Sequence, residues 1–440
     1  MASLTRFLPA LLTGRRRPIT LSLLFVPAIV ALSRLIGLVR EALLSKLLGL
    51  GAGLDLFVIF TTVPTYALSY VLGPFAVAFY ASLNGPGVSV AGLWRRLLPW
   101  AGGIATFAAV LVFIASALYE PRLRAEGGAV DGYWWIAVGG AATVPAAILI
   151  GMAICLLHAQ KKHTLAVLLS VAQPWLFVSL LLAVDLTLPS VTLLPVGVSY
   201  VLSFLVIFAA VYGIQGARLT SPAPHDGADS LAAFRRNLGM TTVETAGFFG
   251  NQLLTMFFAG LAGAGGIAAN GLVARIMLMP LSLMLSPLSP ILQNAYLGKS
   301  AATRRRIFLK AYCGILALVA VSTFAVVIFG TDVVRFFFER GAFTAEDTAK
   351  VAALLLPYCV YVIFIAANQL CATAAFVAGE GKAYTVTMIA NYVGGNLLKI
   401  PMLAHYGLEG VIWAAAISEG AAAVANSWRQ FSAHRTGEPS

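Results

Sequence analysis

The chain has 440 residues, 60% of them hydrophobic and only 10% charged, where a soluble domain carries about 25% charged residues. A water-soluble enzyme of this size is excluded, and so is a β-barrel, whose short alternating segments are missing. The net charge of +12 would point to nucleic acid in a soluble protein, but here it lies mostly in short loops and reads as membrane topology.

Apolar blocks of twenty or more residues, long enough to cross a bilayer as helices, predict an all-α polytopic membrane protein. Twelve spans are expected near 19–44, 55–83, 97–119, 133–157, 164–185, 190–214, 236–260, 266–297, 308–330, 351–378, 383–403 and 408–430. Arg6 and Arg15–Arg17 precede the first block, which is too long for a signal-peptide core and reads as an uncleaved span. The string SPAPHDGADS (221–230) breaks any helix with Pro, Gly and Asp. It divides the chain into a six-helix bundle over 1–214, a cytoplasmic linker over 215–235, a second six-helix bundle over 236–430 and a cytoplasmic tail over 431–440.

Alternate loops differ sharply in charge. With the N-terminus inside, one side collects most of the loop Lys and Arg, and the other only Arg122, Arg124, Arg335, Arg340 and Lys350. Basic residues favour the cytoplasmic side, so both termini are expected there. The halves also echo each other: Pro64, Pro74 and Tyr80 align with Pro280, Pro290 and Tyr296, and Lys162 with Lys382 in the loop after each fourth span. Two halves of even span count keep one orientation, a parallel pseudo-two-fold repeat. That predicts a V-shaped transporter with a central cavity.

Ionisable groups within spans cost about 2.5–3.5 kcal/mol each on insertion scales and usually mark function. The first span holds Arg34, Arg40 and Glu41 in SRLIGLVRE (33–41), and the eighth holds Arg275 in ARIMLMP (274–280). Arg34 and Glu41 lie on nearly one helical face, with Arg40 turned roughly 120° away. Guanidinium forks suit pyrophosphate oxygens. The competing reading has Arg40 and Lys46 snorkelling to headgroups at the outer interface. Glu244, Asn251 and Gln252 in the seventh span, Asn391 and Asn396 in the eleventh, and Glu419 and Asn426 in the twelfth form either a sodium or proton coupling site or ordinary interhelical hydrogen bonds. The four cysteines read as packing residues, and the five histidines show no metal-ligand spacing. Glycine-loop and nucleophile motifs are absent, so a transporter without an organic cofactor is expected. Its driver would be Na+, H+ or the membrane potential.

The stretch SRLIGLVREALLSKLLGLGAGLDLFVIFTTVP (33–64) resembles the N-terminal signature of the MurJ/MviN lipid II flippases, members of the multidrug/oligosaccharidyl-lipid/polysaccharide exporter superfamily. FFFERGAFTAEDT (336–348) is similar to that family's Glu-Arg-Gly-x-Phe-Thr loop, and ARIMLMP to its eighth-span pattern. The resemblance implies that Arg34, Arg40, Arg275 and Asp55 contact substrate. It also implies alternating-access movement of an undecaprenyl-pyrophosphate-linked peptidoglycan precursor to the outer leaflet of the bacterial plasma membrane. Partners would be the lipid-linked saccharide, membrane lipids and cell-envelope synthesis proteins, with no nucleic acid. Three departures stand out. The run TYALSYVLGPFAVAFY (65–80) is uncharged where the family carries arginines, Leu278 stands where an acid often follows the arginine, and twelve spans are expected rather than fourteen. They leave open a different lipid-linked oligosaccharide, a cation-coupled multidrug-type antiporter, or a non-transporting cell-envelope scaffold.

Overall fold

A computed structural model describes residues 19–76, 79, 90–125, 133–160, 162–188, 191–219, 229–296, 300–378 and 380–432, and among them there is no strand. The helices are α1 Ile19–Leu48, α2 Ala52–Tyr70, α3 Val90–Ala125, α4 Tyr133–Ala159, α5 His163–Thr187, α6 Leu193–Leu219, α7 Asp229–Leu261, α8 Gly266–Tyr296, α9 Ala301–Phe338, α10 Ala345–Ala353, α11 Leu355–Ala378 and α12 Gly381–Ser432. Arg6, Arg15–Arg17, Tyr80, the centre of the predicted linker (220–228) and the tail from 433 lie outside the described residues, as do the side chains of Arg34, Pro74, Arg122, Arg124, Glu244 and Pro290.

The described parts of the predicted spans are mostly helical, but the segmentation differs. Among the described residues, eight helical stretches are long and apolar enough to cross a membrane: Ala52–Tyr70, Leu97–Leu118, Tyr133–Ala159, Leu165–Thr187, Leu193–Gly213, Ala302–Phe338, Ala345–Phe376 and Gly381–Phe431. The last of these contains both of the final predicted spans, separated by a kink at Gly407 (φ 58°, ψ −140°). Only glycine adopts that conformation without strain. A π-helical turn, Val71–Phe75, continues α2. It contains Pro74, which has no amide proton with which to extend the ladder. The predicted counterpart Pro290 lies within continuous α8, so these two positions do not share a local backbone.

The chain forms two compact units, Met1–Leu48 with Ala52–Thr245, and Gly49–Gly51 with Ala246–Ser440. The division falls inside α7 rather than in the predicted linker. A hydrogen bond of 2.8 Å between the Tyr70 and Thr242 hydroxyls joins the first-unit part of α7 to α2.

In the first unit α4 is the central helix, buried along most of its length. Gly140 makes this possible, since a Cβ there would stand 2.7 Å from the Phe60 ring. Phe57, Phe60, Phe177 and Tyr200 pack with centroids 5.0–5.8 Å apart and tie α2, α5 and α6 together. Phe107, Leu118 and Trp135 face outward, as expected of surfaces that meet lipid.

In the second unit α11 packs along α12. The connection from α9 to α10 is a built turn. Gly341 has φ 64°, and Thr344 and Asp347 form a reciprocal capping box at the start of α10. Glu339 accepts from the Thr348 hydroxyl at 2.8 Å, and Phe343 is buried against Phe338. Gly49, also at positive φ, lies against this turn, and a Cβ on it would stand 2.8 Å from the Ala342 carbonyl oxygen. Gly49, within the family-like sequence 33–64, therefore approaches the backbone of the 336–348 turn closely inside the second unit.

Candidate functional site

Arg40 and Lys46 on α1 in the first unit are paired directly. The Arg40 guanidinium donates from Nε to Glu41 Oε1 at 2.8 Å, and its Nη2 lies 2.7 Å from the same oxygen. Adjacent helical residues point about 100° apart, but Arg40 has the reach to fold back onto Glu41, which is buried. Lys46 does not snorkel freely. Its Nζ donates to both carboxylate oxygens of Asp185 on α5, at 2.8 and 2.7 Å. Asp55 is fully buried in the first turn of α2, where the partial positive charge of a helix N-terminus favours a carboxylate.

The second unit has a different kind of polar centre, built by helical spacing. Asn251 and Thr255 are four apart on α7. Tyr392, Asn396 and Lys399 follow one face of the first arm of α12, while Glu419 and Asn426 lie seven apart on its second arm. Lys399 is 1% exposed. Its Nζ donates to Asn251 Oδ1 at 3.2 Å, Thr255 Oγ1 at 2.7 Å and Asn396 Oδ1 at 2.9 Å. Asn396 Nδ2 in turn donates to Asn251 Oδ1 at 3.1 Å and to the Tyr392 carbonyl at 2.7 Å.

Beside this group, the buried Glu419 carboxylate accepts from Asn391 Nδ2 at 2.7 Å and from Asn368 Nδ2 at 2.9 Å. Asn426 Nδ2 completes the chain by donating to Asn368 Oδ1 at 3.0 Å. Lys399 and Glu419 act on each other electrostatically, yet among the described residues no direct ion pair joins them. The buried Oδ1 of Asn391 has no hydrogen-bond partner among the described residues.

The structure therefore brings together Asn251 with Asn396, and Asn391 with Glu419 and Asn426. Arg275 is half-buried on α8 beside buried Ile276 and Met277. The placement of Arg34 and Glu244 side chains lies outside the described residues. Sequence reading missed Asn368, Thr255, Asp185 and Lys399. The signal for Lys399 was present: a lysine within an apolar run, three residues after Asn396. Among the described residues, no group of three His, Cys, Asp or Glu side chains could hold a metal ion.

The family model described as lipid II flippase MurJ matches residues 141–435. The chain belongs to the MurJ lipid II flippase family. The match runs from within α4 to the tail, and so includes Arg275, the 336–348 turn and the whole polar centre, but not the 33–64 segment. Across the fold, this MurJ-family chain is similar to a lipid II flippase MurJ in an inward closed conformation, at TM-score 0.75 and 15% identity over 95% of this chain and 94% of that one. It is also similar to an inward-facing MATE family multidrug resistance transporter of the MOP superfamily, at TM-score 0.66 and 15% identity over 93% and 100%. A MOP superfamily transporter from Pyrococcus furiosus has TM-score 0.63 and 14% identity over 92% and 96%. No curated protein matches the chain significantly. Family and apolar helices together make it a multi-pass membrane protein of the flippase and transporter class.

Proposed function

We propose that the chain is a flippase for a polyprenyl-pyrophosphate-linked saccharide of the lipid II type, working by alternating access in the bacterial plasma membrane with both termini in the cytoplasm. The family match over residues 141–435 carries this reading. In it, the twelve predicted spans form two six-helix halves. Arg34, Arg40 and Arg275 hold the pyrophosphate, with Arg40 positioned by Glu41, and Asp55 contributes to the same site. The membrane potential or an ion acting at the polar centre of Asn251, Asn391, Asn396 and Glu419, together with Glu244, supplies the drive.

A second reading, a cation-coupled exporter of small amphiphiles, is favoured by the uncharged 65–80 run and by the fold-wide likeness to MATE transporters. Complementation of a conditional lipid II flippase depletion separates the two: rescue supports the first, and failure despite normal membrane abundance supports the second. Within a rescuing chain, Arg275→Ala is expected to abolish rescue at unchanged abundance. Arg275→Lys should restore it only in part, because lysine keeps the charge but not the bidentate fork. Full rescue by the alanine variant would remove Arg275 from the substrate site.

A further inference from the structure

The partners of Lys399 reveal its charge state. Asn251 Oδ1 and Asn396 Oδ1 are amide oxygens and can only accept. Thr255 Oγ1 could donate, but its proton is already committed to the Asn251 carbonyl at 2.7 Å. All three partners therefore accept, and a nitrogen that donates three times is an ammonium. This cation is 1% exposed, and the Glu419 carboxyl acts on it through space rather than by contact.

Two amide oxygens and a hydroxyl converging on one buried positive charge form an all-oxygen set of the kind that hard cations take from proteins. We propose that Lys399 is a tethered cation filling a monovalent-cation site of the second unit, so that this centre binds no free Na+. The inference rests on the polar centre being the coupling site. If it holds, it leaves protons or the membrane potential as the driver. Four methylene groups deliver the charge from α12, and the ammonium remains when the surrounding helices shift. A dissolved ion would leave.

The test compares thermal unfolding of the purified full chain in 150 mM sodium chloride, methylammonium chloride or choline chloride, at roughly the ionic strength where exposed charges are screened within about 8 Å. The wild-type midpoint should shift by less than about 1 °C among the three salts. Lys399→Ala vacates the site, so its midpoint should fall by several degrees in choline, which is too large to enter, and recover by at least half in sodium or methylammonium; a shift of about 2–8 °C corresponds to each kcal/mol in domains of ordinary size. Lys399→Met fills the same volume without charge and should show the loss without the recovery.

A wild-type midpoint that rises in sodium overturns the proposal, as does an alanine variant equally low in all three salts. Should Lys399→Ala fail to accumulate, the wild-type comparison still decides, together with Thr255→Val. That variant removes one acceptor and should be destabilised alike in every salt; selective rescue of it by sodium would also overturn the proposal. Complementation reports separately on the flippase reading: a chain that rescues but gains stability from sodium loses only the tethered cation, and one that fails to rescue while showing the expected salt pattern loses only the substrate assignment.

Discussion

The two units handle buried charge in opposite ways. On α1 of the first unit, Arg40 and Lys46 each touch a carboxylate directly, and the Lys46–Asp185 pair keeps 40% and 18% of its side-chain surface exposed. In the second unit Lys399 and Glu419 are almost wholly covered, and each is solvated by amides and hydroxyls instead of by the other. At Lys46 and Asp185, direct contact with part of each side chain exposed gives a pair that can break and re-form at small cost. Amide solvation in the interior gives charges whose loss leaves several oriented dipoles without partners. Such an arrangement holds one geometry until a charge changes, a behaviour suited to coupling. The rim pair is suited to joining α1 to α5.

The largest stability effect should follow from Glu419→Ala. A buried group left without its partner costs about 1–3 kcal/mol, more when it is charged, and here both Asn391 and Asn368 would lose an acceptor while Lys399 would lose a carboxylate that acts on it through space. Thermal unfolding in detergent should show it. The double variant Glu419→Ala/Lys399→Ala should cost less than the sum of the singles, because coupled sites are not additive. Strict additivity would show that the two charges do not communicate, and the centre would then be two unrelated hydrogen-bond clusters.

Asn368→Ala should come next. Asn368 donates to Glu419 and accepts from Asn426, and a buried group left without its partner costs about 1–3 kcal/mol, more when it is charged. A loss below about 0.5 kcal/mol would mean that water replaces the amide freely, which is incompatible with a dry centre.

Much of the fold was legible because long apolar blocks leave the backbone no alternative to helix in lipid. The described parts of the expected segments are mostly helical, eight stretches are long and apolar enough to cross a membrane, and the kink at Gly407 lies between the last two expected spans. The sequence signal failed where backbone chemistry is local. Nothing in the sequence around Pro74 announced that it would sit in a π-helical turn, nor that Tyr70 would hydrogen-bond Thr242 on α7. For the site, residue type was legible but partnership was not. Asn251, Asn391, Asn396, Glu419 and Asn426 stood out as polar groups in apolar runs. Which amide faces which charge depends on contacts between helices distant in sequence, as with Asn368 and Glu419, fifty-one residues apart. Lys399 was overlooked because sequence spacing alone does not show that its ammonium is buried among Asn251, Thr255 and Asn396.

The smallest effect should belong to Asp185→Asn, and it tests the rim side of the contrast. The substitution keeps the size of the side chain and one acceptor for Lys46 while removing the charge. Lys46 is 40% exposed, so water and salt compensate much of the lost attraction, and exposed pairs contribute about 0.2–1 kcal/mol. The cost should also shrink on raising the salt concentration, since screening acts on pairs that water can reach. Glu419→Ala should show no such salt response. A loss above about 2 kcal/mol at Asp185, unchanged by salt, would place this pair in an environment as dry as that of Lys399. The difference between the units would then lie in direct against amide-mediated pairing alone, and no longer in exposure to water.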